Sequence, residues 1–563
     1  MDTTAQPPSF APAPGRADGA PTAQPSTRLA TRVDPASPAF AENRAHMLAL
    51  VAQLRALEQR TRDESAKAAP LFERRGQLLP RERLARLLDP GLPFLELSTL
   101  SGFLQDVPDP ERSIPGSGAI VGIGFVAGTR CMVVVDDAGI DAGALQASGL
   151  EKFLRAQQIA LDNRLPFVHL VESAGANLLK YRVEHFVRGG ALFANLARLS
   201  GAGLPVISVV HGSSTAGGAY MTGLADYVVM VRGRAKAFLA GPPLLKAATG
   251  EDATDEELGG ADLHATVSGL AEYVADDDAD ALRIARELVA ALDWSRGEPP
   301  LPAGEPPALD PDGLLGLFAP DLKKPVDMRE VIARVVDGSR FLEFKPGYGP
   351  ATVCGHAAVH GIAIGIVTNN GPLDPAGSTK ATHFIQACCQ SRLPIVYLQN
   401  TTGFIVGKQA ERAGMIKHGS KQIQAIANAT VPQVTIHCGA SFGAGNYGMC
   451  GRGFDPRFAF SWPHARTAVM GAQQAAQTMA IVMREGARRK GEPADDTKLA
   501  ALQAKIVETF ERQTSAFYTS GLLLDDGVID PRDTRDVLGF VLALCAGADA
   551  RRVQPMQFGV ARP

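Results

Sequence analysis

Apolar and polar positions change spacing repeatedly along this chain. From Ala41 onward Met47, Leu48, Leu50, Val51, Leu54 and Leu57 recur at helical intervals, which predicts an amphipathic helix with one broad apolar face. After Leu92 the pattern shifts to short β-rich runs broken by glycine, such as Ala119–Gly128 and Cys131–Val135. Strand-like and helix-like segments then alternate up to Trp294, as in an α/β domain. Ser295–Gly313 carries six prolines in nineteen residues and no apolar period, so it reads as a linker. From Leu314 the alternation resumes. The expected organisation is a leader (1–28), an N-terminal α/β domain (29–294), a linker (295–313) and a C-terminal α/β domain (314–563). The leader is rich in Ala, Pro, Thr and Ser and lacks an apolar signal core, which predicts disorder.

The two halves resemble each other. Leu165–Gly175 reads LPFVHLVESAG and Leu393–Gly403 reads LPIVYLQNTTG, with five of eleven positions identical. Leu204–Tyr220 (LPVISVVHGSSTAGGAY) and Val431–Tyr447 (VPQVTIHCGASFGAGNY) share Pro, Gly, Ser, a later Gly and Tyr. The second copy follows the first by 228 residues in one pair and 227 in the other, so spacing repeats as well as composition. A period of that size implies a duplicated domain rather than a solenoid.

Composition narrows the function classes. With 563 residues the chain exceeds what one core organises. Lys+Arg number 56 against 59 Asp+Glu, and no dense basic stripe occurs, which argues against a nucleic-acid partner. The apolar run Val537–Ala546 falls short of the roughly 18 residues of a membrane span. Seven cysteines show neither a C-x-x-C pair nor zinc spacing; buried reduced thiols of a cytosolic protein are expected, and no metal site.

Each repeated unit is a β-branched strand that ends in a loop of Gly, Ala, Ser and Thr. Small residues let a substrate approach the backbone, and two neighbouring loops can aim N–H groups at one carbonyl oxygen as an oxyanion hole. Side-chain catalysts do not converge in the same way. Gly439–Gly443 matches G-x-S-x-G, so a serine hydrolase built on Ser441, Asp455 and His464 is an alternative, though the three are crowded into a short stretch. There is no Walker phosphate loop and no H-E-x-x-H pair. His211 and His437 read as strand-end residues, Arg155 as a locally paired helix residue, and Arg452 as a brace for the second loop.

Thr215–Tyr220 (TAGGAY), Phe238–Gly250 (FLAGPPLLKAATG), Glu256–His264 (EELGGADLH), His383–Gly403, Gly443–Arg452 (GAGNYGMCGR) and Trp462–Gly471 (WPHARTAVMG) resemble the carboxyltransferase (beta) subunit of biotin-dependent acyl-CoA carboxylases. The look is that of the methylcrotonyl-CoA and geranyl-CoA branch. The resemblance implies an α/β protein of two tandem crotonase-like spiral domains. It implies an enzyme that moves CO2 from carboxybiotin to an acyl-CoA through an enolate, with the released biotin ureido anion taking the substrate proton. Biotin would sit on a partner biotin carboxylase/carboxyl carrier subunit, since this chain has no Met-Lys-Met tripeptide. The implied acyl-side cradle is Ala174, Gly175, Gly217 and Gly218; the implied biotin-side cradle is Gly403, Phe404, Gly443, Ala444 and Gly445. Lys246 is a candidate for CoA phosphates, and Gly143 and Ala144 lie in the loop Asp136–Gln146 that would line the acyl side. This chain departs from the family where Ala174 replaces Gly, where Glu172 replaces Asp, and in Asp136–Gln146, where those enzymes carry Gly-Gly-Thr-Tyr. A homohexamer core in the cytoplasm is the implied assembly. The decarboxylating subunit of a biotin-linked membrane pump is the alternative within the family.

Overall fold

The computed structural model describes residues 27–175, 182–294, 302–491 and 495–560. Most of the expected leader and the first part of the expected linker therefore lie outside the described residues. The entry helix α1 (Pro38–Ala66) begins where the Ser37 hydroxyl accepts the Phe40 N–H at 3.3 Å, with proline in its first turn. Phe40, Met47, Val51, Leu54 and Leu57 form its buried face, while Leu48 and Leu50 sit half-buried beside it.

The first sheet contains β1 (Leu95–Leu97), β2 (Ala119–Val126), β3 (Thr129–Asp136), β4 (Phe167–Ser173), β5 (Val206–Thr215), β6 (Tyr227–Val231), β7 (Lys236–Phe238) and β8 (Tyr273–Ala275). Its order is β1-β2-β3-β4-β5-β6-β8, with β7 also on β5. The second contains β9 (Leu342–Phe344), β10 (Thr352–Val359), β11 (Ile362–Asn369), β12 (Ile395–Thr401), β13 (Gln433–Phe442), β14 (Phe458–Ser461) and β15 (Arg466–Ala468). Here the order is β9-β10-β11-β12-β13-β14, with β15 on β13. Both sheets open with antiparallel pairs and continue in parallel. Even the irregularity repeats: the β4/β5 register shifts after Val171, and the β12/β13 register after Gln399. β3 is almost wholly buried, as expected of a strand covered on both faces.

The connecting helices repeat too. α2 (Ala147–Asp162) joins β3 to β4, and α3 (Val183–Gly201) and α4 (Gly217–Gly223) flank β5. After α5 (Pro242–Thr249) and α6 (Asp278–Ala291), the second half supplies α7 (Pro375–Gln390), α8 (Met415–Ala427) and α9 (Ala444–Gly448) in matching places. Lys152 on α2 and Lys380 on α7 are both fully buried. Each donates to the first carbonyl of the facing strand, Ala119 at 2.7 Å and Thr352 at 2.7 Å. Burial lowers both ammonium pKa values, that of Lys152 to about 8. The chain then runs through α10 (Ala472–Lys490), α11 (Asp496–Thr514) and α12 (Thr534–Ala550).

The halves share one core rather than touching at a seam. One continuous apolar cluster takes Val133, Val168 and Val209 from the first sheet and Ile366, Val396 and Ile436 from the second, with Val541 of α12. Terminal segments cross over: Leu54 and Leu57 of α1 pack with Ala465 and Phe517, while Phe540 of α12 meets Phe125 of β2 edge-on. Arg155 also crosses, contrary to the expected local pairing. Its guanidinium binds both Asp526 carboxylate oxygens at 2.7 and 2.9 Å, because α2 faces the second half. No disulfide forms; Cys389 is half-buried and the other six thiols are buried. Among the described residues no helix is long and apolar enough to cross a membrane, and no cluster of His, Cys, Asp and Glu can hold a metal ion.

Candidate active site

In each half two parallel neighbouring strands end side by side, and small residues carry the chain away from both. β4 leads through Ala174 to Gly175, whose φ of +88° suits glycine. β5 turns at Ala216, also at positive φ (+53°), into Gly217 and Gly218. The two loops touch: a Cβ on Gly175 would lie 3.3 Å from Thr215 Oγ1. In the second half β12 leads to Gly403 (φ +117°), and β13 turns at Gly443 (φ +56°) into Ala444 and Gly445. There the approach is closer, since a Cβ on Gly445 would stand 2.8 Å from Gly403 Cα. Both turns are braced alike, Ala216 N–H to Phe238 O at 3.0 Å and Gly443 N–H to Ala468 O at 2.8 Å.

Hydrogen bonding divides the expected donors into two groups. Ala174 N–H donates to the Ala142 carbonyl at 3.1 Å, and Gly175 N–H to Ser173 Oγ at 3.1 Å. Gly403 N–H likewise donates to Thr401 Oγ1 at 3.1 Å. Phe404 pairs with Leu373 as an isolated parallel bridge, and its ring lies over Gly419 and Gly448. Gly217, Gly218, Ala444 and Gly445 open α4 and α9, where the first N–H groups have no intrahelical acceptor. These turns offer the N–H donors that a negatively charged oxygen requires.

The loop Asp136–Gln146 lies directly against the first cradle. Ser173 Oγ donates to Gly143 O at 2.6 Å, Leu145 N–H to Gly175 O at 3.0 Å, and Ala144 N–H to Asp141 O at 3.0 Å. A Cβ on Gly143 would come within 2.2 Å of Glu172 O, so only glycine fits there. Asp141, Ala142 and Gly143 form a run at positive φ. Lys246, on α5, is exposed and ion-paired with Asp252 at 2.7 Å.

One expectation and one alternative fail here. Arg452 does not brace the second loop through Nη1, which is buried without a hydrogen-bond partner; desolvation lowers its pKa. Ser441 lacks a base: its hydroxyl donates to Gln399 Oε1 at 2.5 Å and accepts from Asn446 Nδ2 at 2.8 Å. His464 is instead wedged among Phe318 and Trp462, its pKa lowered to about 3 by burial, with both ring nitrogens unpartnered. The nucleophile elbow is thus a packing turn. His437 is also buried, with its pKa lowered to about 4.

One charged cluster was invisible in the sequence. Arg83 donates to Glu172 at 2.5 Å and to Asp278 at 2.9 Å, and His211 Nδ1 lies 2.9 Å from Asp278. Burial alone would raise the Asp278 pKa, but His211, Arg83 and the Leu78 N–H outweigh it and hold it at about 2. The partners are far apart in sequence, so no local spacing announces them.

Two mixed sheets of similar topology, each ending in a pair of small-residue turns, define a crotonase-like fold. Residues 73–557 match the family model described as "Carboxyl transferase domain". The chain belongs to the carboxyl transferase family, among the beta subunits of biotin-dependent acyl-CoA carboxylases. It is 47% identical over 537 residues to a probable biotin-dependent acyl-coenzyme A carboxylase beta2 subunit of Mycobacterium tuberculosis, covering 95% of this chain and 100% of the relative. It is 44% identical to a probable mitochondrial methylcrotonoyl-CoA carboxylase beta chain of Drosophila melanogaster, covering 95% of each. The crystal structure of the P. aeruginosa geranyl-CoA carboxylase beta subunit matches with a TM-score of 0.89 and 52% identity, over 95% of this chain and 100% of that one.

Proposed function

We propose that this chain is the acyl-accepting half of a two-subunit acyl-CoA carboxylase of the methylcrotonyl-CoA or geranyl-CoA type. The observation that carries the proposal is the doubled cradle, two matched strand-end turns of small residues whose backbone N–H groups open α4 and α9. In this reading the N–H groups of Gly217 and Gly218 hold the thioester carbonyl and stabilise the charge that develops on it, while Ala174 and Gly175, whose own N–H groups are engaged by Ala142 O and Ser173 Oγ, form the wall of that cradle. The N–H groups of Ala444 and Gly445 hold the ureido oxygen of biotin carried by the partner subunit, while Gly403 and Gly443, whose own N–H groups are engaged by Thr401 Oγ1 and Ala468 O, shape that cradle with Phe404. Carboxybiotin supplies the carboxyl group and the proton acceptor, so the chain itself has no need of a base. Gly143 and Ala144 shape the acyl side through the contacts of their loop with Ser173 and Gly175. Lys246 meets the CoA phosphates once it exchanges Asp252 for them.

Carboxylation is preferred to decarboxylation on identity: the carboxylase beta chains stand at 44 and 47%, the alpha subunit of the Veillonella parvula methylmalonyl-CoA decarboxylase at 30%. A biotin carboxylase/carboxyl carrier partner, a homohexameric core and a cytoplasmic setting complete the proposal. The test combines the chain with its biotinylated partner, ATP, labelled bicarbonate and a panel of short, branched and terpenoid acyl-CoAs. Label entering a branched or terpenoid acyl-CoA is the expected result. No labelled acyl-CoA from any member would sink the proposal.

A further inference from the structure

Resting on the acyl-side reading of the first cradle, we infer that Glu172 is a positioning residue for carboxyl transfer, held in place by Arg83 and Gln77. Glu172 is the residue before Ser173 at the end of β4, so its backbone belongs to the arm that carries Ala174 and Gly175. Its side chain reaches sideways under β5. A Cβ on Gly212 would fall 2.5 Å from Glu172 Oε1, so glycine there makes room for the carboxylate. Arg83 Nη1 donates to Oε2 at 2.5 Å and Gln77 Nε2 to Oε1 at 3.1 Å, while Gln77 also donates to the His211 carbonyl at 3.1 Å. Arg83 continues to Asp278 on α6, which holds His211 of β5. The cluster therefore clamps together the two strands whose ends make the cradle.

One feature separates it from an ordinary stabilising ion pair. The second cradle, built on the same plan, has no such charge. Asn400 occupies the place of Glu172 there, with Gly439 in the place of Gly212. A Cβ on Gly439 would again fall 2.5 Å from the side-chain oxygen, and the Asn400 amide accepts the Ala440 N–H at 3.3 Å. An uncharged amide suffices to hold that loop pair, so the ionic clamp answers a requirement specific to the first cradle.

The experiment measures steady-state carboxylation by the holoenzyme with Glu172→Gln and Glu172→Asp. Glu172→Gln keeps shape and loses charge. It is expected to lower kcat ~10-fold or more while KM for acyl-CoA and for the biotinylated partner stay within ~3-fold, the mark of a displaced reacting group. Glu172→Asp, which keeps the charge, is expected to recover most of that loss. Wild-type kcat in Glu172→Gln, or unchanged kcat with both KM values raised, would overturn the inference. Should Glu172→Gln fail to fold, Gln77→Met removes the donor to Oε1 together with that to the His211 carbonyl, leaves the Arg83 pair in place, and is expected to lower kcat ~3-fold with KM unchanged; wild-type kcat there overturns the inference as well. A wild-type holoenzyme inactive on every acyl-CoA overturns the parent reading, whereas an active wild type with an unaffected Glu172→Gln overturns this inference alone.

Discussion

Gly445→Ala probes the second cradle with the smallest possible change. The added methyl would stand 2.8 Å from Gly403 Cα and 2.9 Å from Thr401 Cγ2. Carbon atoms settle at about 3.5–4.0 Å, so the loops must part by roughly 1 Å. Gly403 is backbone, and Thr401 is buried in β12 with its hydroxyl engaged by the Gly403 N–H, so neither can swing aside. A displacement of about 1 Å in a positioning element costs ~100-fold in rate, about 2.7 kcal/mol of barrier. The assay is bicarbonate-dependent acyl-CoA carboxylation by the assembled enzyme, with circular dichroism to confirm folding. KM for acyl-CoA should stay within ~2-fold, since the cradle proposed for the acyl group lies in the other half. Gly453→Ala is the control, because its new methyl meets nothing within 4 Å. A folded Gly445→Ala enzyme within ~3-fold of wild type would refute the idea that the close approach of these loops is functional.

Three further changes test other parts of the account. Arg155→Met strands the buried Asp526 carboxylate with the Ala459 N–H, at 2.8 Å, as its remaining hydrogen bond; a loss of ~3–5 kcal/mol is expected in denaturant unfolding, and a loss under ~1 kcal/mol would contradict the assigned bridge. Burial raises the Asp525 pKa to about 6, so the native state binds more protons than the unfolded state from about pH 4 to 6. Its contribution therefore falls as pH rises through that window and stays lost above it. Asp525→Asn should raise Tm relative to wild type more at about pH 7.5 than at about pH 4.5, and an equal shift at both would refute the assignment. Ser441→Ala takes the hydroxyl partner from Gln399 Oε1 and Asn446 Nδ2 and should cost ~1–3 kcal/mol of stability while the folded enzyme still carboxylates; complete loss of activity in folded protein would return Ser441 to consideration as a nucleophile.

The duplication was legible because the paired segments combine β-branched strands with small-residue exits, a pattern that Leu165–Gly175 and Leu393–Gly403 share position by position. The α1 face was legible from its helical spacing, and the runs that become β2 and β3 from their β-rich composition between glycines. Hidden from sequence was everything decided by distant partners. Arg155 meets Asp526 371 residues away, and Arg83 meets Glu172 89 residues away. The engagement of Ala174 N–H was hidden too, since it depends on Ala142 adopting a positive φ that its side chain does not favour. Periodicity reports which face of an element is buried; it carries no information on which charge lies across that face.

The most direct test of the central claim is carboxyl transfer without ATP. The chain is mixed with its biotinylated partner and an acyl-CoA already carrying a labelled carboxyl group, and ATP is withheld. Label appearing on the partner's biotin is the predicted result, because the proposed step of this subunit is a reversible exchange between its two cradles. Label that stays on the acyl-CoA, with both proteins folded and associated, would contradict the account.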